Sequence, residues 1–380
     1  NGWGMVLHND MDNISATTHL TLGTNGVDLI LQQNTEALTS GFVNYYSREN
    51  GAVFDNNSHG IGIKSYDVGL TINGNLKLKD NATILGYGED ISLGNLTLES
   101  GNISLDEGTL SLAGGSVGAN GLIEVGEQGN LSLQGNLAVA GTLDLNDGAT
   151  INLANNATAN LSGGKLELAG THSLDGITTD NATTLQINSS GSISRSDSGT
   201  STVGNLVLSQ AGSSSGVSFG VDNMSLTVGG TSPQFNDADI TLNSANLDFQ
   251  SAPTFDNGST LSVKNSGELI LQSGATINDS SLDFTSSTFK PSGAVSLTGS
   301  SHFTFDSGSS VMLEGDSTLS QSGSVTWPSP DLNGNALTLN VDNMTLDGAL
   351  SIGTGESLSS SSSNLSLSST LPIDNGGILS

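Results

Sequence analysis

Gly129-Asn-Leu-Ser-Leu-Gln-Gly-Asn-Leu137 carries the reading of the fold in nine residues. Leu131 and Leu133 alternate with Asn130 and Ser132, the period of two that gives a strand one buried face. The Gly135-Asn136 pair that follows tolerates the left-handed backbone of a tight corner. The same figure recurs as Leu76-Lys-Leu78, Leu96-Thr-Leu98, Leu110-Ser-Leu112, Leu143-Asp-Leu145, Leu166-Glu-Leu168, Leu206-Val-Leu208 and Leu337-Thr-Leu339. Strands of about four residues with corners at both ends do not build wide sheets.

The triplet Gly-Asn-Leu/Ile starts at 74, 94, 101, 129, 135 and 204, so its gaps of 20, 7, 28, 6 and 69 all fall near multiples of seven. A coil with three sides of about seven residues explains that quantum. The expected fold is all-β: a single-stranded right-handed parallel β-helix, or β-solenoid, of about 20 residues per rung. Stacked about 4.8 Å apart, roughly 18 rungs would make a rod on the order of 85 Å long. Hairpin-built sandwiches are the structural alternative, but over some 300 residues they would need several domains without visible linkers. Asn, Ser, Thr and Gly disfavour helix interiors, so at most a turn or two near Asn34–Leu38 is expected to be helical.

Two domains of unequal regularity are expected. Residues 1–90, which hold all four Tyr, form an irregular capping start. Residues 91–380 form the regular solenoid: Leu- and Asn-rich to about 210, Phe-rich over 219–305, and Ser-rich at the end. Phe235 and Phe255 are 20 apart and should stack inside. Val-Asp-Asn-Met-Ser/Thr-Leu occurs at Val221–Leu226 and Val341–Leu346, 120 residues apart, which reads as a duplicated block of about six rungs.

The net charge is −29, with only eight Lys and Arg. A surface so poor in cations does not neutralise phosphates, which argues against nucleic acid and anionic lipid as partners. Cys is absent, so disulfides and thiolate metal sites are excluded. No apolar run approaches the roughly 18 residues of a spanning helix, and the start Asn-Gly-Trp-Gly reads as a processed piece of an exported precursor.

The chemistry-bearing motifs are sparse. Gly212-Ser-Ser214-Ser-Gly216 matches the nucleophile elbow in letters only, since it lies in a Ser-Gly run without strand-to-helix context. His8, His19, His59, His172 and His302 show no metal-site spacing, and the expectation is no resident cofactor. Asp10 and Asp12 offer part of an oxygen-ligand calcium site, and Gly86–Leu93 is similar to a calcium-binding nonapeptide of repeat-in-toxin proteins, but stands alone. No cluster of acidic, basic and exposed aromatic residues marks a glycan-cleaving groove, so no enzyme activity is expected. The stretch 38–66, with Tyr45, Tyr46 and Phe54, is the candidate recognition loop.

Gly129–Leu133 and Gly148-Ala-Thr-Ile-Asn-Leu153 resemble the repeat phrasing of bacterial autotransporter passenger domains, especially the self-associating adhesins, over about 300 residues. Gly51-Ala-Val53 with Phe54-Asp-Asn-Asn57 is similar to the GGA-I/L/V and F-x-x-N signatures of chlamydial polymorphic membrane proteins. The autotransporter resemblance implies export through an outer-membrane barrel, display at the cell surface or secretion, and adhesion or self-aggregation. Asp374–Ser380 does not read as a membrane strand of about ten residues, so that barrel is not in this sequence. The partners implied are a second copy, or a host cell-surface glycan or protein, with no membrane insertion of this segment. A subunit of an extracellular filament, sheath or surface layer is the alternative, and a glycan-active β-helix ranks third. Charge repulsion at low salt predicts that self-association strengthens with salt or divalent cations.

Overall fold

The computed structural model describes residues 5–6, 28–32, 43–46, 52–54, 62–66, 70–78, 82–88, 90–154, 156–208, 216–361, 364–369 and 376–380, with side chains at Leu78 and from Thr83 onward. No helix occurs among the described residues, and parallel strands stack as a β-solenoid of about 13 turns with about 21 residues each. That is fewer than the roughly 18 rungs expected, and the described turns lie mainly beyond residue 70. The candidate turn at Asn34–Leu38 lies outside the described residues. The chain divides into two compact units: Asn1–Thr171 with Gly176–Thr184, and His172–Asp175 with Leu185–Ser380.

In the first unit the chain stays in strand conformation from Ile91 to Leu133, 43 residues without a break. Its start pairs with Leu70–Leu78, and its end pairs with Thr142–Leu145 and Thr150–Leu153, all in parallel. Glycines make this continuous wrapping possible. At Gly115 (φ 137°) a Cβ would lie 2.0 Å from the carbonyl oxygen of Leu96 one rung below, so no side chain fits there. The alternating Leu runs become inward ladders, Ile123–Leu143–Leu166 and Val125–Leu145–Leu168, which are fully buried.

The second unit has three sheets. Sheet I comprises His172–Ser173, Gly191–Ser194, Ser218–Asp222, Asp239–Asn243, Thr260–Lys264, Ser281–Thr285 and His302–Phe305. Sheet II comprises Thr200–Val203, Ser225–Val228, Asn246–Phe249, Glu268–Leu271, Thr288–Pro291 and Ser310–Val311. Sheet III runs through Gln234–Asn236, Thr254–Asp256, Ala275–Asn278, Gly293–Thr298, Ser317–Pro328, Ala336–Asp347, Ser357–Ser360 and Ile378–Leu379, with Asn364–Leu367 paired beside its path.

The corners repeat as faithfully as the strands. Asn223, Ser244, Asn265 and Ser286, each 21 residues after the last, all turn the chain at φ of 49–54°. Asn and Ser support such a position because their short polar side chains bond locally. At a second corner Ser259 and Ser301 are buried, and their hydroxyls donate to carbonyls on their own rung and the rung below. Each hydroxyl also accepts a backbone N–H, from Ala238 and Ser280 respectively, which satisfies groups otherwise stranded inside.

Aromatic residues fill the interior as the spacing predicts. Phe235 and Phe255 pair across adjacent rungs with ring centroids 5.1 Å apart, and Phe219, Phe249, Phe284 and Phe289 are fully buried. The duplicated-block reading fails. Val221–Leu226 turns from sheet I to sheet II with Asn223 left-handed, whereas Val341–Leu346 lies wholly within the strand Ala336–Asp347. A separation of 120 is not a whole number of 21-residue turns, so like sequences meet unlike places in the rung.

Candidate functional site

The outward side chains of sheet III form the candidate surface. Its register stacks Gln234, Thr254, Thr276, Ser296, Ser320 and Asn340 in one column. Ala294, Thr318, Thr338 and Ser359 form a second, and Asn236 with Asp256, then Asn278 with Thr298, border them. Asp256 is the single charge among these side chains. The other two faces carry many more: Asp222, Asp239, Lys264 and Asp283 face out from sheet I, and Asp248, Glu268 and Lys290 from sheet II.

Sheet geometry fixes what this face presents. Alternation sends Phe255, Ile277, Leu297 and Leu319 inward, and the intervening small polar residues stand outward at the rung spacing. A few bond one another: the amide of Gln234 donates to Thr254 Oγ1 (3.2 Å), and Thr298 Oγ1 donates to Asn278 Oδ1 (2.9 Å). The hydroxyls of Thr276, Ser296, Thr318, Ser320, Thr338 and Ser359 have no side-chain partner within the described protein and remain open to water or a ligand.

Sheet II holds an ion cluster. Lys290 Nζ lies 2.9 Å from Glu268 and 3.7 Å from Glu314. Asp248 has its carboxyl pushed up, chiefly by burial, although Gln250 donates to its Oδ2 at 2.7 Å. The first unit carries an acidic ladder on one outer face: Ser104, Glu124, Asp144 and Glu167 occupy successive rungs. Burial, and then the charges of Glu167 and Glu124, push the carboxyl of Asp144 up to about 6, against the weaker opposing pull of Lys165. Lys165 itself is ion-paired with Glu167. No group of three or more metal-ligating side chains comes together among the described residues.

The sequence-derived candidates are dispersed. Tyr45 and Tyr46 stand in the strand Val43–Tyr46, opposite Ile72 and Asn73, and Phe54 stands in Ala52–Phe54 opposite Leu78. The backbone of the candidate recognition loop is thus paired strand at all three positions. Asp10, Asp12, Ser214, His8, His19 and His59 lie outside the described residues. His172 is buried, and His302 is exposed on sheet I. Asp90, from the nonapeptide-like stretch, accepts the backbone N–H of Thr109 at 2.8 Å and so pins a neighbouring rung. Sequence reading missed the neutral face because its members are spread over 234–359 and join only once the rung register is known.

No protein-family model matches this chain, and neither a curated protein nor a solved structure is significantly similar to it.

Proposed function

We propose that this chain is a surface-displayed or secreted adhesin, and that the outward face of sheet III makes its contacts with a neighbouring copy or with host-cell glycan. The observation that carries the reading is the neutral, hydroxyl-rich face on a chain of net charge −29. Two such chains repel through their acidic faces, and a glycan offers hydroxyls rather than cations. A face with a single carboxylate, Asp256 at its border, lets either partner approach, and free Ser and Thr hydroxyls serve as both donors and acceptors.

Size sets the strength of such a contact. Eight strands at about 4.8 Å spacing, each about 13 Å wide, give roughly 500 Å² per partner. That lies at the small end of specific interfaces, so single contacts are weak and adhesion rests on many chains engaging at once. Salt above about 0.15 M shortens screening to less than about 8 Å and should strengthen pairing of these acidic chains.

The test compares the purified chain with a Thr276→Glu, Thr318→Glu, Thr338→Glu variant, using sedimentation velocity and binding to cells and immobilised glycans. Loss of both associations in that variant, with a Thr241→Glu control on sheet I unaffected, is the expected result. Equal adhesion by all three proteins would reject this face, and a wild-type chain that neither pairs nor adheres would reject the adhesin reading. End-to-end filaments in electron micrographs would favour the structural subunit instead.

A further inference from the structure

Among the described residues, two or three ladders hold each rung of the second unit to the next, except at one junction. Sheet I ends at His302–Phe305, which pairs below with Ser281–Thr285 and with no strand above. The next segment on that side, Ser324–Pro328, packs its Trp327 against Phe303 and Phe305, with centroids 5.6 and 6.4 Å apart, but the backbones form no ladder. Sheet III crosses the junction through Gly293–Leu297 with Ser317–Gln321, and sheet II crosses it only by the bridge Met312–Asp331. Above it pairing resumes, from Ser324–Pro328 to Asn343–Asp347 and then to Asn364–Leu367.

Independent features gather at the same place. A bulge sets Ser322 and Gly323 against the single residue Asp342, with Gly323 at φ 102°. Of six buried side-chain polar atoms without a partner among the described residues, three lie within nine positions here: Gln321 Oε1, Trp327 Nε1 and Ser329 Oγ. Phe303 and Phe305 point inward in register with Leu282 and Phe284, yet both remain half-buried while Phe284 is fully buried.

We infer that this junction is a built-in point of separation, at which the rungs from Ser317 to Ser380 open as one unit before those beneath them. In a stack whose stability is a sum of neighbour contacts, the junction with the fewest ladder bonds and the most stranded polar groups yields first. Opening would part Trp327 from Phe289, Phe303 and Phe305 and leave those three rings on the exposed end of the lower rungs.

Hydrogen exchange on the full chain, read by mass spectrometry across a series of sub-denaturing urea concentrations, tests the idea. Strands 317–328, 336–347 and 357–360 should share one opening free energy and exchange at least about tenfold faster than 239–243, 260–264 and 281–285. Trp327→Ala, which removes the ring packed on Phe303 and Phe305 across the junction, should speed exchange of the upper block and leave the lower rungs unchanged. Protection falling gradually toward residue 380 would mean ordinary end fraying and overturn the inference. So would a single free energy for all six strands, or an upper block indifferent to the substitution.

Discussion

Gly115 shows how a single missing side chain shapes the first unit. Its backbone passes so close to Leu96 that even a methyl group would collide with a carbonyl oxygen, and that oxygen belongs to the sheet rather than to a flexible side chain. Gly115→Ala should therefore destabilise the protein by about 2–3 kcal/mol, through both the clash and the positive φ. Gly258→Ala makes a useful contrast. That residue is also left-handed (φ 86°), but nothing lies within 4 Å of the added carbon, so the cost should stay near about 1 kcal/mol. Urea midpoints of the two variants measure the difference, and equal losses would show that the close approach at Gly115 relaxes.

Neighbouring strands impose a pH dependence on Asp144. Burial, and then its stacking between Glu167 and Glu124, raises its folded pKa above the unfolded value, so its ionised form is favoured by unfolding. The resulting destabilisation is complete above about pH 6 and is relieved as the pH falls toward 4. Allowing for solvent screening, this amounts to about 2 kcal/mol at pH 7.5. Thermal melts should rise from pH 7.5 to 5, and Asp144→Asn should raise the pH 7.5 value and flatten the slope. Asp279 and Asp306 act with the opposite sign. Hydrogen bonds, mainly from Ser300 and Ser309 respectively, lower their pKa values, and that support is lost only at more acidic pH. Strand identity itself was legible before the structure, because Leu131-Ser-Leu133 or Phe235 and Phe255 announce their faces by alternation and spacing. What one strand sets beside another was not. Asp144 gives no sign of Glu124 or Glu167 until the rung length is fixed at 20 in one step and 23 in the next.

At the scale of the whole chain, the repeat is regular enough to be edited. Asp239 and Thr260 occupy the same place on successive rungs, so excising residues 239–259 would bring Thr260 to where Asp239 stood, with Phe219 facing Leu261 and Val221 facing Val263. A cooperative melt and an unchanged β-sheet circular dichroism signature are expected for that deletion. Removing ten residues instead would put corner sequences into strands and should prevent folding. The same regularity explains which long-range readings succeeded. The three-sided coil followed from multiples of seven, while the duplicated hexapeptide misled because a rung position, not a local phrase, decides where a residue points.

The left-handed corners at Asn223, Ser244, Asn265 and Ser286 carry a consequence for how such a chain changes length. They act as the graduations of a ruler, marking where one unit of genetic text ends and an interchangeable one begins. Gain or loss of a unit cut at these marks alters reach while preserving the chemistry of every face, so a lineage can tune how far the molecule extends without reinventing what it presents.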